Sequence, residues 1–284
     1  MVWQMNAEAF FCLIIPALCC FPVDWESWFH KKMRLCYTEC GHIKKSASHA
    51  STLAAENVNR GENSMLKSTI LVAVADIKGG VGKTTTAMLI AGCLARRGEH
   101  VTVLDADNTG GATLWDEYVR IEDDRRRKED EANGTPHKPY KLGFDVIQTN
   151  DVILGMPDRI RERYKGWVII DTPPSDAGTV QTALQAADVS IIPCQPSISD
   201  LSHAGKTYAA ARNGIILLTR VKARTKLARD AVKQLDELEA TRFETVIHER
   251  EAIKNLYGTN QIDNRDYASV TQELIDLVKQ FGIE

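Results

Sequence analysis

The chain has 284 residues, a formal net charge of −3 and 44% hydrophobic residues, a length that accommodates one large α/β domain with additional segments. The nearly balanced charge excludes a protein that binds nucleic acid or membranes through its overall charge, so any such surface must be local. Five of the seven cysteines precede residue 41, and neither Cys93 nor Cys194 has the spacing of a zinc site or a disulfide framework. This cysteine usage favours a reduced, cytoplasmic setting.

The N-terminal stretch, Met1–Ser64, differs in composition from the rest of the chain. It is rich in Trp, Phe and Cys and then becomes polar without sustained periodicity. Its apolar part, Phe10–Val23, follows Glu8 rather than a basic residue and is interrupted by two prolines, which argues against a signal peptide and a membrane span. We expect Met65 to be the true start and the preceding residues to be translated upstream sequence. A disordered extension and a membrane-proximal tail are the alternatives.

The chain is organised around Ile70–Thr86, in which a strand, a glycine-rich loop and the start of a helix follow one another. A run of β-branched and small apolar residues, Ile70 to Ile77, predicts a buried strand of a parallel sheet. The segment Ala87–Arg97 is amphipathic, and between the two lies a loop of eight residues: Lys78, Gly79, Gly80, Val81, Gly82, Lys83, Thr84 and Thr85. This order is typical of a phosphate-binding loop, whose backbone N–H groups converge on phosphate oxygens at a helix N-terminus.

Three side chains of this loop have a predicted role in nucleotide binding. Lys83 is placed to reach the β- and γ-phosphates, and the Thr84 hydroxyl is placed to bind Mg²⁺. A second lysine, Lys78, precedes the glycines. The sequence KGGVGKTT resembles the deviant Walker A motif of the ParA/MinD superfamily of ATPases. The resemblance implies ATP and Mg²⁺ as cofactors, and it implies that Lys78 crosses a dimer interface to the nucleotide of the other subunit.

Two acids follow the second predicted strand, Val101–Leu104. Asp105 and Asp107 come at its carboxyl end, which is the ligand-binding edge of a parallel sheet. Such acids can coordinate Mg²⁺ through water or position an attacking water, although a solvated turn has the same composition. The pair is similar to the D-x-D of ParA-like proteins, which ties Asp107 to hydrolysis, and we assign Asp105 to the metal. Where that family continues with Pro-Gln, this chain has Asn108-Thr109.

A polar segment, Arg120–Lys141, mixes both signs of charge and contains Gly and Pro. We interpret it as a solvated helix end followed by a loop, with Arg125–Lys128 as a minor candidate for nucleic-acid contact. A strand at Phe144–Gln148 and a helix through Arg163 are predicted to follow.

A further motif is the segment Trp167–Pro174. Its apolar residues end in Asp171, as in a Walker B strand whose aspartate holds Mg²⁺ through water. The following Thr172, Pro173 and Pro174 resemble the switch segment of ParA/MinD proteins, a stiff loop whose backbone can sense the γ-phosphate.

Two more strands are predicted at Val189–Pro193 and Ile215–Val221, and the dimer-facing helix that the resemblance implies is expected to begin near Asp200. Basic residues cluster after the second of these strands, and several fall at the spacing of one helix face: Arg220, Lys222, Arg224, Lys226, Arg229 and Lys233. They predict either a sequence-independent DNA surface that binds phosphates by counterion release or an ordinary solvated face.

A strand at Thr245–Ile247 and a short helix at Arg250–Tyr257 are expected before the amphipathic tail, Asp266–Phe281. A MinD-type membrane tail pairs its apolar stripe with basic residues. This tail carries Lys279 among several acids, so we expect it to pack on the domain without stable membrane association.

The resemblance covers Met65 to the C-terminus and makes residues 65–284 a ParA-like ATPase domain. It implies a doubly wound, mostly parallel α/β fold with helices on both faces, and a weak ATPase that dimerises around two ATP molecules. The function expected is DNA partition, in which a nucleoid-associated homodimer binds DNA non-specifically and a centromere-binding protein stimulates hydrolysis. The alternatives are a MinD-like positioning ATPase that acts on a membrane or on a protein cargo, and a metabolic ATP-dependent enzyme of the same superfamily.

Overall fold

The computed structural model describes residues 68–262 and 264–283 of the chain. The predicted N-terminal extension and the start at Met65 lie outside the described residues. Within the described ranges, every helix falls short of the length and apolar character that a membrane crossing requires.

A six-stranded parallel sheet forms the centre of the described domain. In chain order its strands are β1 (Ile70–Val74), β2 (Val101–Asp105), β3 (Asp145–Gln148), β4 (Trp167–Asp171), β5 (Val189–Cys194) and β6 (Gly214–Leu218). They lie in the order β3-β2-β4-β1-β5-β6. All strands except the edge strand β3 are buried at every position, which is the pattern of a parallel sheet covered on both faces.

Helices follow the strands and cover the sheet on both sides. They are α1 (Lys83–Arg96), α2 (Gly111–Asn133), α3 (Asp151–Leu154), α4 (Pro157–Arg163), α5 (Ala177–Ala186), α6 (Ile198–Ala210), α7 (Lys226–Glu237), α8 (Glu251–Lys254) and α9 (Arg265–Gln280). Alternate residues of β1 enter different cores, because successive side chains of a strand point to opposite faces. Val72 packs with α1, α2 and α9, whereas Leu71 and Ala73 pack with α3, α4 and α5. The predicted doubly wound fold is confirmed.

Helix α2 is longer than the sequence interpretation allowed. The polar segment was expected to be a helix end and a loop, but the helix continues to Asn133 and ends where Gly134 adopts a left-handed φ of 66°. Ion pairs between residues three and four apart support this extension, since such neighbours lie on one face of a helix. Among them, Arg125 and Arg126 both donate to Glu122 at 2.8 Å.

Three further predicted elements differ from the structure. The single helix expected before Arg163 is divided into α3 and α4, because Pro157 opens a new helix. Strand β6 ends at Leu218 rather than Val221. The strand predicted at Thr245–Ile247 is wrong: this segment is irregular, and the chain around it meets the β6 region through isolated bridges only.

The predicted amphipathic tail is confirmed as α9. Its apolar residues Val270, Leu274 and Val278 are buried in the same core as α1. At the helix start, the Tyr267 hydroxyl lies 3.1 Å from the Thr86 hydroxyl of α1. Because α1 begins in the glycine-rich loop, α9 supports the helix that holds this loop.

Replacing Leu274 by Ala should lower the free energy of unfolding by about 2–5 kcal/mol, since a fully buried side chain is removed and leaves a cavity. Leu227→Ala is the matched control, because Leu227 is half-exposed on α7, and its loss should stay below about 1 kcal/mol. Denaturant unfolding of the full chain measures both. Equal losses in the two variants would contradict the placement of α9 in the core.

Candidate functional site

The glycine-rich loop joins β1 to α1 at the carboxyl edge of the sheet. Gly80 and Gly82 have φ values of 76° and 97°, a left-handed backbone that residues with a Cβ rarely adopt. Gly82 caps α1, and among the described residues no side chain accepts from the first N–H groups of this helix. These N–H groups and the positive end of the helix therefore form an anion-binding site beside Lys83 and Thr84.

The Lys83 side chain is buried, with 6% of its surface exposed, and its Nζ donates to the Lys78 carbonyl at 2.9 Å. Burial lowers the pKa of Lys83, while the charges of Asp76, Asp171 and Asp107 act in the opposite direction. A buried ammonium group is thus held between the loop backbone and several carboxylates. Contact of Lys83 with the β- and γ-phosphates of a bound nucleotide stays a prediction.

Asp171 ends β4 directly beside Asp105 of β2 in the sheet register. Its carboxylate is completely buried, and neither oxygen has a hydrogen-bond partner among the described protein atoms. Burial raises the pKa of Asp171 to about 8, and the nearby Thr84 hydroxyl and Lys83 oppose the rise, whereas Asp105 and Asp107 add to it. An unpartnered carboxylate close to a threonine hydroxyl fits the oxygen donors that hold Mg²⁺ with its water ligands.

The two acids after β2 are held in different ways. Asp105 has both oxygens occupied, since Oδ1 accepts the Asp107 N–H at 3.1 Å and Oδ2 accepts the N–H and hydroxyl of Thr113 at 2.7 and 2.8 Å. Asp107 accepts the N–H and hydroxyl of Thr109 through Oδ1 alone, at 2.9 and 2.8 Å. Asp105 therefore anchors the first turn of α2, and this geometry lends no support to its predicted role as a metal ligand.

The predicted switch segment contacts the glycine-rich loop and the strand before it. The Thr172 hydroxyl donates to the carbonyl of Val74 in β1 at 3.0 Å. A Cβ atom built on Gly79 would lie 3.5 Å from the Cβ of Pro174, and Pro173 lies between these contacts in the chain. Motifs that are far apart in the sequence therefore meet at one edge of the sheet.

Two acidic residues of this edge were missed by the sequence reasoning. Asp200, in the first turn of α6, forms an ion pair with Lys78 and is 3% exposed. Asp76 accepts the Lys78 N–H at 3.0 Å through Oδ1, and burial raises the pKa of Asp76 against the effects of that hydrogen bond and of Lys83. An acid within the apolar run before the loop was a signal for Asp76. The partner of Lys78 could not be found, because it lies far along the chain.

Side chains from the ends of β5 and β6 hold the loop carbonyls. The Thr219 hydroxyl donates to Val81 O at 2.8 Å, and Gln195 Nε2 donates to Gly80 O at 3.2 Å. A cavity of about 90 Å³ lies next to the loop, and its lining includes Val81, Thr85, Thr219, His248, Tyr257 and Tyr267. The loop thus has a fixed backbone and an adjoining cavity.

The basic residues are arranged differently from the prediction. Helix α7 begins at Lys226, so Lys222 lies before it and does not share the predicted helix face with Arg229. Lys222 forms an ion pair with Glu249, with 3.8 Å between Lys222 Nζ and Glu249 Oε2. Four exposed residues form no ion pair within the described part of the chain: Arg220, Arg224, Lys226 and Arg229. The minor candidate Arg125–Lys128 is different, because its three arginines pair with acids of α2.

Comparisons with known proteins show the family of the chain. A family model described as the CobQ/CobB/MinD/ParA nucleotide binding domain matches residues 72–262. The chain belongs to this family. It is 36% identical over 225 residues to the maintenance of carboxysome distribution protein A of Gloeobacter kilaueensis, covering 72% of this chain and 93% of that protein. It is 33% identical over 186 residues to the chromosome-partitioning ATPase Soj of Thermus thermophilus, covering 58% and 74%.

Solved structures confirm the fold. The septum site-determining protein MinD of Pyrococcus horikoshii, in complex with Mg-ADP, matches with a TM-score of 0.56 at 16% identity, covering 76% of this chain and all of that one. At this identity the match shows the fold of ParA/MinD P-loop proteins. The recognition of this superfamily from the KGGVGKTT motif is thereby confirmed, together with the fold class.

Asp171→Asn should stabilise the protein in the absence of nucleotide. Because the pKa of Asp171 is raised, its contribution to stability is complete below the ordinary value of 3.8 and is lost as pH rises to about 8. The asparagine variant does not titrate, so its advantage in free energy of unfolding should grow between these pH values and then level off. Thermal unfolding at a series of pH values measures it.

The same variant should lose the stabilisation that Mg²⁺ and ATP give to the wild type, because ligand binding shifts unfolding by mass action. Asp145→Asn, at an exposed position of β3, serves as the control and should behave as the wild type. An Asp171→Asn protein that Mg²⁺ and ATP still stabilise fully would contradict the assignment.

Proposed function

We propose that this protein is an ATPase of DNA partition, which dimerises when it binds ATP and Mg²⁺, binds DNA non-specifically as the dimer, and hydrolyses ATP when a centromere-binding protein stimulates it. The observation that carries the proposal is the meeting of Lys78, Lys83 and the unpartnered Asp171 carboxylate at one edge of the sheet. The homologues that bear the names ParA and Soj support the partition role.

The site residues divide the work of nucleotide binding. The N–H groups of the loop and Lys83 would bind the phosphates, and Thr84 and Asp171 would hold Mg²⁺. Bound Mg²⁺ neutralises charge that develops on the phosphates during transfer. Asp107 keeps one carboxylate oxygen available to orient the attacking water.

Dimerisation is supported by apolar side chains exposed on the carboxyl side of the sheet. They lie on or directly beside the helices that follow β2, β3 and β5, and they include Leu114, Val152, Ile153, Met156 and Ile198. Ile198 is 76% exposed and stands two residues before Asp200, the partner of Lys78. A second copy that faces this edge would cover these side chains, and Lys78 would exchange its carboxylate partner for the nucleotide of that copy.

DNA binding is supported by four basic residues that form no ion pair with any residue the structure describes, so that their charge is available for phosphates: Arg220, Arg224, Lys226 and Arg229. They follow Thr219, whose hydroxyl holds the Val81 carbonyl of the phosphate loop. This hydrogen bond connects the phosphate loop with the start of the basic segment. A movement of the loop on ATP binding would therefore be transmitted to Arg220. The burial of α9 against α1 favours DNA over a membrane as the surface bound, because the apolar side of the tail is occupied.

A second candidate function is the positioning of a protein cargo. The carboxysome distribution relative favours it, because that match spans 93% of the relative's length. The two functions share the ATP-dependent dimer and differ in the partner that stimulates hydrolysis. Stimulation by a centromere-binding protein with its DNA supports partition, whereas stimulation only by a cargo adaptor supports positioning.

Lys78→Ala should retain nucleotide binding and lose both the ATP-dependent dimer and hydrolysis, because the lysine serves the site of the other copy. Nucleotide titration, light scattering and phosphate release measure the three properties. Lys206→Ala, an exposed position of α6, is the control and should keep all three. Normal turnover by the Lys78→Ala protein would defeat the shared site.

Charge reversal at Lys226 and Arg229 together should reduce DNA retention in the presence of ATP by at least about tenfold, since two phosphate contacts become repulsive. Retention on DNA of arbitrary sequence is measured with ATP, ADP and no nucleotide at fixed salt. Reversal of two exposed residues elsewhere, Arg159 on α4 and Lys165 just before β4, is the control. Unchanged retention by the Lys226/Arg229 variant would remove this surface from consideration, and wild-type retention independent of ATP would contradict the partition function.

A further inference from the structure

Each of the two acids after β2 accepts the N–H and the hydroxyl of one threonine, but only Asp107 keeps a carboxylate oxygen without a hydrogen bond from the described residues. Thr113 occupies Oδ2 of Asp105 with its N–H and hydroxyl, while the N–H of Asp107 occupies Oδ1. Thr109 makes the corresponding pair of bonds to Asp107, yet both fall on Oδ1. Within the described residues, Oδ2 of Asp107 makes no hydrogen bond. Of the four carboxylate oxygens, this one is available to a ligand or a water.

Thr109 belongs to a tight turn that fixes Asp107 from the other side as well. The Gly110 N–H donates to the Asp107 carbonyl at 2.7 Å, and Gly110 adopts a left-handed φ of 68° before α2 begins. The Asp107 side chain is 9% exposed, whereas Thr109 is exposed. A buried carboxylate is therefore hydrogen-bonded by a residue that lies on the surface.

Asp107 lies close to the groups that are proposed to act on phosphate. Its charge acts on the pKa of both Lys83 and Asp171. When ATP is hydrolysed, the water oxygen bonds to the γ-phosphorus as the bond to the leaving oxygen of ADP breaks, and the proton of the water leaves with the phosphate. A carboxylate oxygen that accepts a hydrogen bond from this water must be held in one orientation to be effective.

We propose that Thr109 is a positioning residue for hydrolysis, which fixes the Asp107 carboxylate through Oδ1 so that Oδ2 can orient the attacking water. The inference rests on the proposed ATPase function. It gives a physical role to a position where this chain departs from the Pro-Gln that ParA-like sequences have. The hydroxyl is the essential group, because it gives Asp107 Oδ1 a second hydrogen bond. With the backbone N–H alone, the carboxylate would be held by a single hydrogen bond from Thr109 and could change its orientation more freely.

Thr109→Val tests the hydroxyl with little change of volume. In the full chain it should lower kcat for ATP about tenfold while KM for ATP stays within about twofold of the wild type, the pattern of an interaction made in the transition state. Thr109→Ser keeps the hydroxyl and should restore at least half of the wild-type kcat. Thr135→Val is the matched control, because the exposed Thr135 also bonds an aspartate, Asp130, at the far end of α2. It should leave kcat unchanged.

A double-mutant cycle separates positioning from a general structural effect. In an Asp107→Asn background, Thr109→Val should cause no further loss of kcat, since the group that it orients no longer acts as a carboxylate. Wild-type turnover with an equally active Thr109→Val protein, or equal losses of kcat with and without the Asp107 carboxylate, would overturn this inference and leave the ATPase proposal intact. Absence of turnover in the wild type under stimulated conditions would overturn both.

Discussion

A cluster of buried carboxyl groups at the carboxyl edge of the sheet is the constraint on which the site depends. Asp76, Asp105, Asp107, Asp171 and Asp200 are all buried there, and Lys83 is the buried cation among them, with the partly exposed Lys78 beside it. A buried carboxylate is costly unless it is paired or hydrogen-bonded. Asp105 meets this requirement with backbone and hydroxyl donors and Asp200 with Lys78, whereas Asp171 does not. Positive charge added at this edge would stabilise the cluster, which supports the divalent cation and the phosphates that we propose for this site.

The position of this cluster follows from the topology. In a parallel sheet, all carboxyl ends lie on one edge, so an acid at the end of β2 and another at the end of β4 become neighbours. The run Ile70 to Ile77, the glycine-rich loop and the apolar strand before Asp171 were enough to predict the fold and the main motifs, because each combines local propensity with burial. The glycine-rich loop also has a local cause, because Gly80 and Gly82 adopt a left-handed backbone that other residues rarely reach.

The parts that could not be predicted depend on contacts between distant residues. No local pattern connects Lys78 with Asp200 or Thr219 with the Val81 carbonyl. The length of α2 was missed because composition alone does not show which opposite charges fall on one helix face, and the strand expected at Thr245–Ile247 failed because three apolar or β-branched residues do not specify pairing. The basic face was predicted on a helix that begins later than assumed, so Lys222 falls outside it.

We propose that Lys78 is held within its own chain by Asp200 until ATP recruits a second copy. A crystal structure with Mg²⁺ and a non-hydrolysable ATP analogue tests this claim most directly. We expect two copies that face each other through the carboxyl edges of their sheets. In this dimer Lys78 is released from Asp200 and contacts the phosphates of the nucleotide bound to the other copy. Nucleotide bound to a single copy, with the Lys78–Asp200 pair intact, would contradict it.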